Sequence, residues 1–213
     1  MTAVAPFPRF DGFTYSPALG PEEGVTRRDP SPVIRIGDLY YAWYSRTETS
    51  PDGYSATLWW ATSPDGHAWY ERGEAVGRGP AGAFDEHAVF TPTILAAGGR
   101  YYLFYTAVPE PFTNDNGGPA GTRTAIGLAV ADQPAGPWTR QGTDPVLRPS
   151  DDPGAFDSHR VDDTCLIARR GQFWMYYKGR QMQRTPGQTR MGLALADVPE
   201  GPYVKHEDRK SVV

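Results

Sequence analysis

Long apolar runs, helical periodicity and clusters of one charge sign are absent from this sequence of 213 residues. No apolar stretch reaches the length needed to cross a bilayer. Because no run of Lys or Arg accompanies the net charge of −4, neither nucleic acid nor a membrane is an expected partner. No long segment repeats its apolar residues with a helical period, so we expect almost no helix.

Cysteine and metal-binding patterns are equally sparse. The single cysteine, Cys165, excludes an intrachain disulfide, and its apolar surroundings predict a small core residue. No Cys and His spacing suits zinc. Residues 114–118 weakly resemble a calcium loop but lack the carboxylate at its far end. We therefore expect no metal site and no cofactor, with a divalent cation in a central channel as the alternative left open.

What the chain does contain points to many short strands. Hydrophobic residues make up 39% and aromatic residues 13%, with 24 Gly and 21 Pro for tight turns. The first residues have neither a basic region nor an apolar core, so no signal peptide is visible. A cytoplasmic location is expected, or a periplasmic one if the true N-terminus lies upstream.

One pattern occurs three times, at residues 29–44, 91–105 and 163–177. Each copy has a short apolar run, a turn containing Gly and an aromatic strand, which predicts a β-hairpin. The first residue differs between copies: it is Asp29, then Thr91, then Asp163. This variation indicates that the shared part specifies the fold and the variable part the chemistry.

A second half follows each hairpin, at residues 58–62, 126–131 and 191–196, and ends in a turn before Trp69, Trp138 or Tyr203. Four strands in a unit of roughly 60 to 70 residues are typical of a β-propeller blade. A β-sandwich is the alternative, but repetition of both halves in register favours the propeller. The predicted class is all-β, with about three four-stranded blades of a propeller.

The predicted organisation has three parts. Residues 1–28 are an extended N-terminal segment, and residues 29–207 are blades 1–3 of a single catalytic domain. Residues 208–213 are a non-native tail, because they continue no blade pattern and correspond to the codons GAT CGG AAG AGC GTC GTG followed by the stop TAG, a string similar to a common sequencing adapter. We expect a gene truncated before its fourth blade, and we therefore expect the 213-residue fragment alone to be aggregation-prone and inactive on any glycoside.

Several motifs together carry a resemblance to a known family. They lie at residues 24–31, 33–41, 90–92, 156–163, 176–180 and 196–203. The chain resembles glycoside hydrolase family 117, whose known members release 3,6-anhydro-L-galactose from neoagaro-oligosaccharides, and more distantly family 43. The resemblance implies a five-bladed propeller with its active site at the mouth of the central channel. It also implies that Asp29 is the general base acting on water and that Asp163 orients the sugar.

The sequence departs from the family pattern at two motifs. Thr93 stands where a glutamate is expected, which removes an acidic sugar contact, and Asp162-Asp163-Thr164 stands where His-Asp-Pro is expected. The resemblance places the general acid, thought to be a histidine, in a later blade.

The residues themselves leave two interpretations of Asp29 and Asp163. Carboxylates facing each other across a sugar are what an inverting glycosidase requires, at roughly 6.5–9.5 Å. Alternatively, both aspartates are turn devices that start a strand. Since Thr91 opens the same strand in the second copy, the fold does not need aspartate there.

Nine further residues are candidates for substrate binding, because they neighbour the aspartates, recur at one blade position or end the third aromatic strand. They are Arg28, Glu86, His87, Thr91, His159, Arg160, Asp162, Lys178 and Arg180. Structural or solvated roles are the alternatives, above all for the repeated histidines.

The expected function is hydrolysis of a terminal α-linked sugar, such as 3,6-anhydro-L-galactose, from an oligosaccharide partner. A family-43-like arabinosidase or xylosidase and a non-catalytic carbohydrate-binding propeller are the alternatives. A protein-interaction propeller is disfavoured, because its repeat motifs are missing. A homodimer is expected only for the full-length protein.

Overall fold

The computed structural model describes residues 12, 16–48, 53–112, 121–181 and 189–206, and all regular structure in them is β-strand. The strands form three antiparallel sheets that follow one another along the chain. Sheet A contains β1 (Thr26–Arg28), β2 (Ile34–Ile36), β3 (Leu39–Thr47), β4 (Thr57–Ser63) and β5 (Tyr70–Val76). Sheet B contains β6 (Ala88–Ala97), β7 (Arg100–Val108), β8 (Ala125–Ala131) and β9 (Thr139–Arg140). Sheet C contains β10 (Arg160–Arg169), β11 (Gln172–Arg180), β12 (Thr189–Ala196) and β13 (Val204–Lys205).

Each sheet is a meander of neighbouring strands, as in a propeller blade. The predicted all-β class and blade architecture are confirmed. In sheet A, β1 and β2 both pair with β3, so they are two pieces of one interrupted first strand. Sheet A therefore begins at Thr26, inside the segment that the sequence assigned to an extended N-terminus. Residues 208–213, the predicted tail, lie outside the described residues.

The predicted hairpins form where glycine permits a left-handed turn. Gly98 and Gly99 join β6 to β7 with φ of 57° and 78°, and Arg170 and Gly171 join β10 to β11 with φ of 54° and 76°. Two successive residues with positive φ form the turn that matches the twist of antiparallel strands. These turns set the register in which the aromatic second strands pair with the first strands.

Buried apolar side chains pack between neighbouring sheets. Between sheets A and B, the core contains Trp43, Leu58 and Leu103, all fully buried. Between sheets B and C, it contains Phe104 and Met175, also fully buried. Side chains of this size contribute about 1.5–3 kcal/mol each on burial. Sheet B is thus covered on both faces, which explains why β7 and β8 are buried along most of their length.

The outer face of sheet C corrects one expectation. Cys165 is exposed, so the prediction of a small core residue is wrong. The residue at the same repeat position in sheet B, Thr93, is only 4% exposed. A second pair of equivalent residues differs in the same way: Ile126 in sheet B is 0% exposed, and Met191 in sheet C is 53% exposed. Sheet C covers this face of sheet B, whereas no described sheet covers the same face of sheet C. Burial here depends on the neighbouring sheet and not on the strand's own pattern.

In sheets B and C, a buried aspartate connects the loop before the first strand to the later strands of the same sheet. In sheet B, Asp85 accepts a hydrogen bond from Tyr105 Oη at 2.9 Å and pairs with Arg140 at 2.7 Å. In sheet C, Asp157 accepts from Tyr177 Oη at 2.8 Å and pairs with Lys205 at 2.6 Å. This repeated arrangement fixes the loops that carry His87 and His159, two residues after each aspartate.

Candidate active site

A polar cavity of about 280 Å³ lies where residues from the first strands of all three sheets meet. Its walls also include the end of β11 and residues from two loops. The lining residues are Arg28, Asp29, Pro30, Tyr54, Phe90, Thr91, Pro92, Phe112, Arg160, Asp162, Asp163, Thr164, Lys178 and Arg180. Both predicted catalytic aspartates therefore line the same cavity.

The three residues that open the sequence repeat are the points at which the first strands kink. Asp29, Thr91 and Asp163 have φ of 50°, 48° and 50°, which is the left-handed region. Residues other than glycine avoid this region at a cost of about 1–3 kcal/mol, and such strain concentrates at functional sites. The pairing of β6 with β7 and of β10 with β11 shifts register at the same places.

The kink changes which side chains reach the cavity. In a regular strand, successive side chains point to opposite faces. Here the kink residue and the residues on both sides of it all line the cavity, in each of the three sheets. The three triplets are Arg28-Asp29-Pro30, Phe90-Thr91-Pro92 and Asp162-Asp163-Thr164. A sheet can therefore present two adjacent functional side chains to one substrate.

Asp29 is held by its preceding neighbour. Arg28 Nε donates a hydrogen bond to Asp29 Oδ2 at 2.6 Å, and the Arg28 guanidinium stacks on the ring of Tyr54, 4.7 Å from its centroid. Burial opposes the charge of Arg28, but the hydrogen bond and the negative charge of Asp29 outweigh it, so the pKa of Arg28 is raised. A cation therefore lies directly beside the carboxylate of Asp29.

Lys178 joins the two consecutive carboxylates of sheet C. Its Nζ forms an ion pair with Asp162 Oδ1 at 3.1 Å and donates a hydrogen bond to Asp163 Oδ2. Burial opposes the charge of Lys178, yet the two carboxylates raise its pKa overall. The side chain of Asp163 is 41% exposed and that of Asp162 only 9%. Asp163 is thus the carboxylate that a ligand can reach.

In this cluster, the surroundings of Asp162 disfavour its ionised form. Burial, followed by the negative charge of Asp163, raises the pKa of Asp162 to about 6. Lys178 and Arg180 act in the opposite direction without cancelling the effect. The cluster therefore combines an accessible acid with a buried one that releases its proton at a higher pH than an ordinary aspartate.

An aromatic wall that the sequence did not predict closes one side of the cavity. The ring of Phe112 lies 4.4 Å from that of Tyr54 and 5.7 Å from that of Phe90. The guanidinium of Arg160 stacks on Phe112 at 4.7 Å, and its Nε donates to the carbonyl of Thr122 at 2.8 Å. Aromatic faces beside polar groups suit the apolar and hydroxylated faces of a sugar ring. Tyr54 and Phe112 lie in loops, where no strand pattern marks them.

Eight of the eleven predicted site residues line the cavity, and three do not. Glu86 accepts a hydrogen bond from the backbone of Gly82 at 2.6 Å within its own loop. His87 is half-buried, and burial together with the charge of Arg78 lowers its pKa. His159 is almost fully buried. The binding roles proposed for these three residues stay predictions.

In the described part of the chain, no group of three or more His, Cys, Asp or Glu side chains is arranged to hold a metal ion. The segment 114–118 lies outside the described residues. The same part of the chain contains no helix of the length and apolarity that a membrane span requires.

Comparison with known proteins identifies one matching family and several similar structures. The sequence model described as glycosyl hydrolases family 43 matches residues 24–164, which include all three kinks. A structure of Zg3597, a family 117 glycoside hydrolase produced by the marine bacterium Zobellia galactanivorans, has 32% identity and a TM-score of 0.78. The match covers 94% of this chain and 60% of that one. The chain thus spans about three fifths of that relative's length.

More distant structures share the fold alone. Sucrose-6-phosphate hydrolase from Lactobacillus gasseri has 14% identity and a TM-score of 0.66, covering 84% of this chain and 33% of that one. An α-L-arabinofuranosidase from Lactobacillus brevis has 14% identity and a TM-score of 0.60, covering 85% and 53%. The search of curated protein sequences gave no significant match.

Proposed function

Because the chain belongs to the glycosyl hydrolases of family 43, we propose that its cavity hydrolyses a glycosidic bond. The observation that carries this proposal is the pair of kink carboxylates, Asp29 and Asp163, on the wall of one cavity of about 280 Å³. Each carboxylate has a cation beside it, and both side chains are partly exposed, at 30% and 41%. This exposure and the shared cavity support a role for both carboxylates in acting on a bound sugar.

The two carboxylates receive different roles. Asp29, which accepts a hydrogen bond from Arg28, removes a proton from the attacking water as general base. Asp163, held by Lys178, accepts hydrogen bonds from sugar hydroxyls and orients the ring. The leaving group also needs a proton donor, which the family resemblance places in a later blade. Attack by a water from the face opposite the leaving group would invert the anomeric centre.

The substrate we propose is an oligosaccharide ending in an α-linked sugar such as 3,6-anhydro-L-galactose. The 32% identity with a family 117 enzyme supports this substrate. An arabinosidase or xylosidase activity is the alternative, supported by the family 43 match across both carboxylates. Asp162 and Thr93, which replace the expected histidine and glutamate, favour a second candidate: a carbohydrate-binding protein without turnover.

The test combines these sugars with one variant. The parent protein for this test is a version extended through the later blade that the family resemblance expects to supply the proton donor. It is incubated with neoagarobiose and with aryl arabinofuranosides and xylosides, while NMR follows the anomer of the released sugar. Asp29→Asn keeps the shape of the side chain but removes the base, so we expect kcat to fall by about 10²–10⁴-fold with KM nearly unchanged. Asp38→Asn, in the exposed turn between β2 and β3, is the matched control and should keep full activity.

Three outcomes separate the candidates. Residual activity of Asp29→Asn above about a tenth of the parent would mean that another residue is the base. Sugar binding without release by the parent protein would support the carbohydrate-binding alternative. Neither binding nor release of any of these sugars would refute the proposed function.

A further inference from the structure

The backbone N–H groups of two kinks donate to hydroxyl groups of the preceding sheet. Thr91 N–H donates to Ser45 Oγ at 2.9 Å, and Asp163 N–H donates to Thr106 Oγ1 at 3.2 Å. Ser45 lies in β3 opposite Arg28, and Thr106 lies in β7 opposite Phe90, so each is paired with the residue before its own sheet's kink. Both hydroxyl-bearing residues are fully buried. The same contact therefore occurs between sheets A and B and again between sheets B and C, at equivalent positions of the repeat.

The kinks need these contacts because they break the ladder of their own sheet. The pairing of β10 with β11 shifts register between Asp162 and Cys165, and that of β6 with β7 between Phe90 and Thr93. A backbone N–H that turns away from its ladder must find another acceptor, since leaving it unpaired away from water is costly. A hydroxyl on the neighbouring sheet supplies that acceptor.

Thr106 makes a second contact that joins the kinks of two sheets. Its Oγ1 lies 2.5 Å from Thr91 Oγ1 while it accepts the N–H of Asp163. The residue at the same repeat position in sheet C is Lys178, which holds the carboxylate of Asp163. Asp163 is thus fixed at its backbone from sheet B and at its side chain from sheet C.

We propose that Thr106 is a positioning residue for Asp163. Its hydroxyl holds the left-handed backbone that turns the carboxylate of Asp163 into the cavity beside Lys178. Without this bond, the strand is free to relax to an extended conformation, in which successive side chains alternate between faces. Asp162 and Asp163 would then no longer share one side. The catalytic consequence rests on the proposed function, whereas the backbone consequence does not.

Three variants test the proposal by amide exchange, measured by NMR. Thr106→Val keeps the shape of the side chain and removes the hydroxyl, so exchange of the Asp163 amide should accelerate about tenfold or more. Thr106→Ser retains the hydroxyl and should exchange like the parent at this amide. Ser45→Ala is the matched control in sheet A, and it should accelerate exchange of Thr91 while leaving Asp163 unchanged.

Turnover of the extended parent protein supplies the second measurement. Because a displacement of about 1 Å at a reacting group can cost 10²-fold in rate, Thr106→Val should lower kcat by about tenfold or more with a smaller change in KM. Thr106→Ser should restore most of that loss, and Ser45→Ala should lose less than Thr106→Val.

Each contrary result has a definite meaning. Unchanged exchange of the Asp163 amide in Thr106→Val would overturn the backbone role of the hydroxyl. Equal losses of kcat in Thr106→Val and Thr106→Ser, or in Thr106→Val and Ser45→Ala, would overturn the positioning role, because general loosening of the sheets explains both. A parent protein without turnover would refute the proposed function, and the exchange measurements would still decide the backbone role.

Discussion

Replacing Asp162 with asparagine should stabilise the protein at neutral pH. Burial is the largest influence on this carboxyl and the charge of Asp163 the next, and together they raise its pKa from 3.8 to about 6. The groups that face it are Asp163 on its own strand and Lys178 and Arg180 on β11, whose positive charges only partly oppose the shift. Ionised Asp162 is therefore less favourable in the folded protein than in the unfolded chain.

The magnitude follows from the pKa. A shift of one pKa unit corresponds to 1.36 kcal/mol, so a rise of roughly two units costs about 3 kcal/mol once Asp162 is ionised. Between about pH 4 and pH 6 the unfolded chain releases this proton while the folded protein retains it. Folding stability from this group is thus greatest below about pH 4 and falls as the pH rises through 6.

Urea unfolding of the parent and of Asp162→Asn, measured from pH 4 to pH 8, tests this reasoning. The two proteins should be about equally stable near pH 4, and the variant should be more stable at pH 7 by up to about 3 kcal/mol. With a urea m-value of about 1–3 kcal/mol/M, the midpoint should rise by about 1–3 M. Asp38→Asn, in an exposed turn, should show no such trend.

The refuting result is also clear. If Asp162→Asn is less stable than the parent at pH 7, the ion pair with Lys178 outweighs the burial of the charge. A difference that does not vary with pH would show that Asp162 does not titrate in this range.

Two further predictions concern the packing beneath the site and use urea unfolding at neutral pH. Tyr105→Phe removes the hydrogen bond to the buried Asp85 and should cost about 1–3 kcal/mol; an unchanged midpoint would mean that Arg140 alone satisfies this acid. Gly192→Ala places a Cβ 2.3 Å from the ring of Tyr177, so it should destabilise the protein by about 1–3 kcal/mol. A neutral effect would show that the ring can move aside.

The fold could be predicted because short segments of the sequence determine its turns and strands. Each of the three predicted hairpin turns contains a glycine with positive φ, and the strand after each turn contains the predicted aromatic residues. Repetition in register then gave the number of sheets. The position of Asp29 and Asp163 on one cavity also follows from repetition, since equivalent residues of neighbouring blades converge toward the same axis.

The remainder of the site depends on contacts between sheets, which no single segment encodes. In the sequence, Thr106 is not distinguishable from any other polar residue of a strand. Its role becomes clear only from its contact with the kink of sheet C. Tyr54 and Phe112 belong to loops and have no periodic neighbours. Cys165 has the pattern of a core residue, but its exposure is decided by what covers sheet C. The positions and exposure of these four residues depend on how segments distant in the sequence pack together.

The kinks also show how three equivalent positions can acquire different chemistry. Two positions can supply a partner for each kink residue: the residue before it in the first strand, and the residue of the second strand that pairs with that preceding residue. For Asp29 the first of these is a cation, Arg28, and for Asp163 the second is a cation, Lys178.

In sheet B, these two positions hold Phe90 and Thr106, which are both uncharged, and the kink residue is the neutral Thr91. A carboxylate at position 91 would have no cation at either of these places, so its charge would lack a partner within its own sheet. Each kink carboxylate therefore has a cation at one of the two positions in its own sheet, and the kink residue without such a cation is neutral. The left-handed backbone that the three kinks share places all three residues on the cavity wall.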